Sequence, residues 1–127
     1  MQLAPRSYAD VTVAAPGGRI DHRSAAELEA SLAPLLDAAI ARRGALVLDF
    51  AEVEYISSVG LRVLMLAARR MREAQAPLAL AALQTVVAEI FTISRFDKVL
   101  AVHPSVDAAL AAVSVEALAA WRAGGAA

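Results

Sequence analysis

The sequence predicts an α/β fold, a mixed β-sheet of four to five strands with helices packed against it. Two observations support this prediction. Short apolar and β-branched stretches have the length of strands, and they alternate with longer segments in which apolar residues recur every three or four positions. The chain has 127 residues, the usual length of one domain. We therefore expect residues 1–127 to form a single domain, with its core at about residues 8–113.

The chain opens with two predicted extended segments. Residues 8–14 have the composition of a strand, with Val11 and Val13 on one face. The Pro-Gly-Gly sequence at residues 16–18 favours a turn, and residues 19–20 are again extended. This pattern predicts a hairpin.

The first helix is predicted to begin at Ser24, because Ser24 and Glu27 have the spacing of a capping box. Pro34 lies inside this segment, where a proline removes one backbone hydrogen bond. We expect a kink there and not a break. The apolar positions of the helix are Leu28, Leu32, Leu35, Leu36, Ala39 and Ile40.

The middle of the chain predicts a buried strand, a loop and a second helix. Residues 45–50 are apolar with almost no polar alternation until Asp49, which is typical of a strand covered on both faces. The helix begins after Ser57 and Ser58, and Pro77 ends it. Its predicted inward residues are Leu61, Leu64, Met65, Ala68 and Met71.

In the last third of the chain, the residue pattern predicts two strands and two helices. Residues 78–83 are read as a strand, residues 99–102 as the last strand, and a helix between them opens at Thr85. The terminal helix begins at Ser105, and its apolar residues stay in register past Ser114. We expect it to continue to about residue 123, so that residues 114–127 extend this helix and end in a frayed tail. The apolar residues of the helix after Thr85 are Val86, Ile90 and Ile93.

Composition excludes several classes of function. Twelve basic and thirteen acidic residues give a net charge of -1 without any block of like charge, which argues against a nucleic-acid partner. Charged residues interrupt every apolar run, so we expect no membrane insertion. The absence of cysteine excludes a disulfide framework and a thiolate zinc site. The first ten residues lack the apolar core of a signal peptide, so we expect a cytoplasmic protein.

No constellation of residues predicts an enzyme, a cofactor or a metal site. The two histidines, His22 and His103, are far apart, and the Gly-x-Ser-x-Gly elbow and glycine-rich phosphate cradles are missing. Asp21 and Asp49 each end a predicted strand without a second carboxylate beside them. We expect Asp21 to accept hydrogen bonds at the start of the first helix and Asp49 to accept them from loop amides, with a functional role as the alternative.

The pair Ser57 and Ser58 stands where a loop enters the second helix. One hydroxyl is predicted to be the N-cap and the other to lie exposed over the first turn. Capping alone would explain both serines. A phosphate on the exposed hydroxyl would also be favoured there, because the free amides and the helix dipole stabilise negative charge.

Four segments in the same order resemble the STAS domain, in particular the stand-alone bacterial anti-sigma factor antagonists. Residues 18–21 resemble the Gly-Arg-Leu-Asp turn of that family, and residues 47–50 resemble its Val-Leu-Asp-Leu strand. Residues 55–64 resemble its signature loop and helix, and residues 93–98 resemble the helix end before its last strand. The resemblance covers residues 11–113 and implies the STAS fold.

The resemblance implies that Ser58 is the serine phosphorylated in this family. Ser57 takes the place of an aspartate that is frequent there, which makes Ser57 an alternative acceptor. Arg95 stands where glycine is common, which is unfavourable if its backbone is left-handed.

The implied function is regulation of transcription or signalling by partner switching, without catalysis. When unphosphorylated, the domain would bind an anti-sigma factor that is also a serine kinase of the histidine-kinase-like ATPase fold, and a serine phosphatase would remove the phosphate. We expect a monomer when it is free. The alternative is a STAS domain that serves as a structural subunit or small-ligand sensor of a larger complex without phosphorylation. The residues expected to contact the partner are Ser57, Ser58, Val59, Gly60, Leu61 and Arg62.

Overall fold

A five-stranded mixed sheet lies at the centre of the structure, a computed structural model that describes residues 1–125. The strand order is β1-β2-β4-β6-β7, and β3 and β5 form a separate parallel pair. The strands are β1 (Arg6–Tyr8), β2 (Val11–Ala14), β3 (Gly17–Ile20), β4 (Ala45–Asp49), β5 (Glu52–Ile56), β6 (Leu78–Ala81) and β7 (Ala101–His103). The helices are α1 (His22–Ala41), α2 (Ser58–Glu73), α3 (Thr85–Ile93), α4 (Val106–Val113) and α5 (Val115–Ala120). This arrangement confirms the predicted fold class.

Two layers of helices enclose the sheet. Along β4, side chains alternate between its faces. Leu46 and Leu48 belong to the core that contains α1, α2 and α3. Val47 belongs to the core that contains α4 and α5. β4 is therefore buried on both faces, as the sequence predicted. Among residues 1–125, no helix combines the length and the apolar character needed to cross a membrane.

The predicted hairpin between residues 8–14 and 19–20 is wrong. β2 lies between β1, its antiparallel partner, and β4, its parallel partner. Both hydrogen-bonding edges of β2 are therefore occupied, and β3 pairs with β5 instead. Gly18, with φ of 76°, lies at a register shift where the chain passes into this second sheet. The actual hairpin joins β1 and β2 through residues 9–10, and Ala9 there has φ of 54°.

Helix α1 begins two residues earlier than predicted. Its N-cap is Asp21, whose Oδ1 accepts hydrogen bonds from the backbone N–H groups of Arg23 at 3.1 Å and Ser24 at 3.0 Å. The Ser24 hydroxyl accepts the Asp21 N–H at 2.8 Å. The capping box therefore joins Asp21 to Ser24 and not Ser24 to Glu27. The helix is continuous through Pro34, which confirms that the proline does not break it.

The segment before the two serines contains a strand that the sequence analysis interpreted as a loop. Along β5, exposed Glu52 and Glu54 alternate with buried Val53 and partly buried Tyr55. This is the period of a half-buried strand. Helix α2 follows and confirms the predicted one. Its buried residues include Leu61, Leu64, Ala68 and Met71, whereas Met65, which was also predicted to face inward, is only half-buried.

Helix α3 faces the core with different residues from those predicted. Val87 and Phe91 are buried, whereas Val86 and Ile93 are exposed. The orientation follows from aromatic packing, since the Phe91 ring makes edge contacts with Phe50 and Phe96 at centroid distances of 6.5 and 6.0 Å. After α3, Arg95 has φ of 64°, which confirms the left-handed backbone considered there. The last strand begins at Ala101, later than predicted.

The terminal helix is two helices and not one. Ser114 is extended, with φ of -163°, and separates α4 from α5. Its Oγ accepts the Ala117 N–H at 3.1 Å and donates to Asp10 Oδ1 at 2.6 Å. The second bond reaches a residue 104 positions away, so no local pattern could reveal it. A short turn at Trp121–Gly125 follows α5, and Gly124 within it has a non-helical backbone with φ of 87°. The frayed end predicted for the last residues falls partly on 126–127, which lie outside the described residues.

Candidate functional site

The ends of β3 and β5 bring two helix N-termini together. The two strands are parallel, and Ile20 is paired with Ile56 at their carboxyl ends. The Ser57 N–H donates to the Ile20 carbonyl at 2.8 Å. Since α1 begins at His22 and α2 at Ser58, the helix starts lie side by side at this edge. The structure thus places Asp21 next to the serine pair, although Asp21 and Ser57 are 36 positions apart in the sequence.

The two serines have different roles in the structure. Ser57 is the N-cap of α2, and its Oγ accepts the Gly60 N–H at 3.1 Å. Ser58 is the first residue of the helix and is exposed. This confirms the prediction that one serine caps the helix and the other lies exposed over its first turn. The Ser58 hydroxyl stands near backbone N–H groups of the first turn that have no acceptor within the helix.

The first turn of α2 packs directly on the strand ends. A Cβ atom at Gly60 would lie 2.8 Å from Ile20 Cγ2 and 2.8 Å from Ile56 Cγ1. Real Cβ atoms do not approach so closely, so glycine is needed for this packing. Leu61 is also buried, at 7% exposure. Of the six residues predicted to contact a partner, Gly60 therefore belongs to the scaffold that positions the others, whereas Leu61 is largely buried but also lines the groove beside Ser58.

Two open grooves flank the start of α2. The α2–α3 groove has a volume of about 510 Å³, and its lining includes Ser58, Arg62, Met65, Ser94 and Phe96. The α1–α2 groove, of about 260 Å³, is lined in part by His22, Glu29, Arg62 and Leu66. Val59 and Arg62 line both grooves, so they form the ridge between them.

Two charged side chains, Asp21 and Arg19, lie at the carboxyl end of β3. Hydrogen bonds from the Ser24 backbone and hydroxyl lower the pKa of the Asp21 carboxyl, and the positive charge of Arg19 acts in the same direction. Asp21 is therefore ionised at neutral pH. The Arg19 guanidinium lies over the Tyr55 ring, 4.4 Å from its centroid.

Asp49 does not belong to this site. Its Oδ1 accepts the Ala51 N–H at 3.0 Å, which confirms its predicted role as a strand-end acceptor. It lines a separate pocket of about 250 Å³ together with Tyr8 and Trp121. Asp21 likewise has its predicted role as an acceptor at the start of α1.

Several residues of the site were missed by the sequence analysis, namely Arg19, Met65, Ser94 and Phe96. The last two follow α3 in the chain and reach Ser58 only through the packing of that helix. No spacing in the sequence connects them with Ser58. Among residues 1–125, no group of three His, Cys, Asp or Glu side chains could hold a metal ion.

Comparison with known proteins gives consistent results. A family model described as "Mlab, STAS domain" matches residues 7–102. A Bordetella bronchiseptica protein named as a candidate anti-sigma factor antagonist, BtrV, is 38% identical over 112 residues, which are 88% of this chain and 94% of that protein.

Solved structures show the same fold. The crystal structure of an anti-sigma factor antagonist from Mycobacterium paratuberculosis has a TM-score of 0.72 at 27% identity, and the match covers 86% of this chain and 90% of that one. The crystal structure of a candidate anti-sigma factor antagonist from Thermotoga maritima has a TM-score of 0.79 at 16% identity, over 87% and 93% of the two chains.

Proposed function

Because the chain belongs to the STAS domain family and is similar to anti-sigma factor antagonists, we propose that it binds an anti-sigma factor and that phosphorylation of Ser58 switches this binding off. The observation that carries the proposal is the position of Ser58. Its hydroxyl is exposed at the first residue of α2 and lines the open α2–α3 groove.

Ser58 is a better acceptor than Ser57. The Ser57 Oγ already accepts the Gly60 N–H, and the residue is half-buried. A phosphate on Ser57 would require this cap to rearrange, and removal of a cap costs about 0.5–2 kcal/mol. A phosphate on Ser58 leaves the cap intact and adds negative charge at the N-terminal end of the helix dipole, which stabilises it.

The same charge that the helix tolerates would prevent binding of a partner. A phosphoserine carries about -1.5 to -2 charges at neutral pH. A protein surface that packs over an uncharged hydroxyl would have to bury these charges, which costs several kcal/mol unless cations meet them. Each 1.4 kcal/mol is about a tenfold loss of affinity. Arg62, one turn along the helix, lies exposed on the ridge between the two grooves and is placed to contact the partner.

The proposed partners follow from the family. The anti-sigma factor is also the kinase, of the histidine-kinase-like ATPase fold, and a serine phosphatase reverses the modification. The name of BtrV supports an anti-sigma factor as the target. Asp21 has a supporting role, since it holds the start of α1 beside the serine pair. The domain itself catalyses no reaction.

The test compares four immobilised proteins in lysate of the native host: wild type, Ser58→Ala, Ser58→Glu and Val115→Glu. Val115 is the matched control because it is also the first residue after a serine N-cap and is 74% exposed. We expect wild type, Ser58→Ala and Val115→Glu to retain the same ATPase-fold protein and Ser58→Glu to lose it. Mass spectrometry of the protein purified from that host should find phosphate on Ser58.

Equal retention by all four proteins, with no phosphate on either serine, would refute the switch. Retention of assembly or membrane subunits in equal amounts would then favour the alternative of a fixed structural subunit. Phosphate on Ser57 in place of Ser58 would move the acceptor by one residue and contradict the assignment made from the cap.

A further inference from the structure

An apolar pocket lies at the far end of α2 from Ser58, beside the first residues of β6 and β7. Its volume is about 390 Å³, within the range of pockets that bind small molecules. At a rise of about 1.5 Å per residue, the helix places Arg72, in the pocket wall, roughly 20 Å from Ser58. The pocket is therefore separate from the site at the start of α2.

The floor of the pocket is part of the main hydrophobic core. It is formed by four buried residues of the core that contains α1, α2 and α3, namely Ala68, Met71, Ala76 and Leu100. Small alanine side chains and an unbranched methionine leave room above this floor. Among the described residues that line the pocket, none is aromatic. The floor therefore fits a flexible alkyl chain better than a flat ring system, which would find no ring to stack on.

Hydrogen bonds hold both walls of the pocket in place. On one side, the Gln75 N–H donates to the Arg72 carbonyl at 3.0 Å and closes the turn after α2. On the other side, the Leu100 N–H donates to the Phe96 carbonyl at 2.9 Å. The Arg72 guanidinium joins the two walls, because its Nη2 donates to the Val99 carbonyl at 3.2 Å. A pocket that is formed before a ligand arrives costs little ordering entropy when the ligand binds.

Arg72 gives the rim of the pocket a positive charge. Of the lining residues that the structure describes, it alone is charged. Within residues 1–125 it forms no ion pair with a carboxylate, whereas Arg70 on the same helix pairs with Asp37. A guanidinium has several N–H donors, and the bond to Val99 uses one of them. The remaining donors are therefore able to hold an anion, and no acidic side chain of the lining repels it.

We propose that this pocket binds the anion of a straight-chain fatty acid of medium length. The alkyl chain lies over the floor that contains Met71 and Leu100, and the carboxylate accepts hydrogen bonds from Arg72. Burial of apolar surface provides the affinity, and the guanidinium provides selectivity for an anion. The proposal depends neither on phosphorylation of Ser58 nor on the partner proposed above.

The methionines provide a direct test on the full chain. The sequence contains three of them: Met71 lines this pocket, Met65 lines the α2–α3 groove and Met1 is the first residue. Their methyl groups are labelled with an NMR-active carbon isotope, and octanoate is added below the concentration at which it forms micelles. We expect a saturable shift of the Met71 signal and unchanged Met65 and Met1 signals. A Met71 signal that does not move, or equal shifts of all three signals, would overturn the proposal.

Isothermal titration calorimetry tests the chemistry of the ligand. From hexanoate to octanoate to decanoate, Kd should fall by up to about fourfold for each added methylene group that the floor covers. Octanol has the same chain as octanoate without the charge and should bind at least about threefold more weakly. Octylamine should bind more weakly still, because its cation faces Arg72. Equal binding of the three head groups, or no dependence on chain length, would contradict the proposal.

A pair of arginine variants tests the carboxylate contact. Arg72→Gln should raise the Kd of octanoate by at least about threefold and leave that of octanol unchanged, which loss of a merely structural bond would not do. Arg69→Gln is the control, because Arg69 is exposed on the same helix and does not line the pocket. Equal Kd values of the two variants for octanoate would refute the contact and with it the proposed ligand.

A pair of alanine variants tests the location of the alkyl chain. Ala68 and Ala67 are adjacent and similarly buried, at 6% and 5% exposure, but Ala67 lines a different pocket beside Leu32 of α1. We expect Ala68→Leu to abolish binding of octanoate and Ala67→Leu to retain it, with circular dichroism showing that both variants fold. Octanoate binding by both variants as by wild type would exclude this pocket. If Ala68→Leu does not fold, the Met71 signal and Arg72→Gln decide the question.

The other possible occupant of the pocket is a second copy of this chain. Analytical ultracentrifugation of the free protein should show a monomer. Val99 lines the pocket and is 41% exposed, so a charge there would disturb a contact between two copies without disturbing the core. A dimer that Val99→Asp dissociates would assign the pocket to a second copy and overturn the proposal.

Discussion

Substitution of Ser114 by alanine tests the break in the C-terminal helix. The substitution removes the N-cap bond to Ala117, worth about 0.5–2 kcal/mol. It also removes the 2.6 Å bond to Asp10, and hydrogen bonds to charged groups contribute about 1.5–3 kcal/mol. Asp10 is exposed and regains water when the bond is lost, so we take the lower end of both ranges and expect a loss of about 2 kcal/mol.

The sign of the change in unfolding free energy caused by Ser114→Ala shows whether the C-terminal segment forms two helices or one. In a continuous helix, serine to alanine would stabilise the protein by about 0.5 kcal/mol, because alanine has the higher helix propensity. With an unfolding entropy of about 2.1 cal/mol/K per residue, a loss of about 2 kcal/mol in 127 residues lowers Tm by about 7 °C. Urea unfolding and thermal unfolding followed by circular dichroism measure both quantities.

Ser105→Ala is the matched control, because Ser105 caps α4 through Ala108 and has no carboxylate partner. Its expected loss is about 1 kcal/mol, and the difference between the two variants reports the carboxylate partners of the Ser114 hydroxyl, which are Asp10 at 2.6 Å and Glu116 at 3.4 Å. An unchanged or raised Tm for Ser114→Ala would refute the reasoning and restore the continuous helix.

Three further predictions concern the start of the two helices. Gly60→Ala should destabilise the protein by about 1 kcal/mol in urea unfolding, because overpacking of about 1–3 kcal/mol against Ile20 and Ile56 exceeds a helix-propensity gain of about 1 kcal/mol. Ser57→Ala should lower the unfolding free energy by about 1 kcal/mol through loss of the cap, while Ser57→Asp should retain it. Asp21→Asn should be less stable than wild type at pH 7, and the difference should vanish at low pH.

The sign of the pH dependence follows from the lowered pKa of Asp21. A carboxyl whose pKa is lower in the folded state stabilises the protein fully above its unfolded pKa of about 3.9, and this contribution is lost as the pH falls through the folded value. Asparagine is also a good N-cap, so Asp21→Asn removes the negative charge of the side chain and keeps its role as a cap. If the unfolding free energies of wild type and Asp21→Asn differ by a constant amount from pH 7 to pH 3, this cause is contradicted.

Stabilisation of the protein by Gly60→Ala would contradict the prediction of overpacking. Equal stability of Ser57→Ala and Ser57→Asp would contradict the prediction about the cap.

The parts of the fold that depend on local pattern were predicted well. Helix α2 has a clear apolar stripe, and β4 has an uninterrupted apolar run, so each pattern fits one structure. The junction of Ser57 and Ser58 was also predictable, because a serine before a helical pattern is a local capping signal. β5 could have been found from the alternation of its two glutamates with Val53 and Tyr55.

The sequence by itself determined the mixed α/β class, the buried β4, helix α2 and the position of an exposed serine at a helix start. Tertiary structure alone decided which strand β3 pairs with, which face α3 turns inward and where the last helix breaks. The reason is physical. Periodicity reports contacts between residues a few positions apart, whereas these features depend on occupied strand edges, on the ring of Phe50 and on the carboxylate of Asp10, which are distant in the chain.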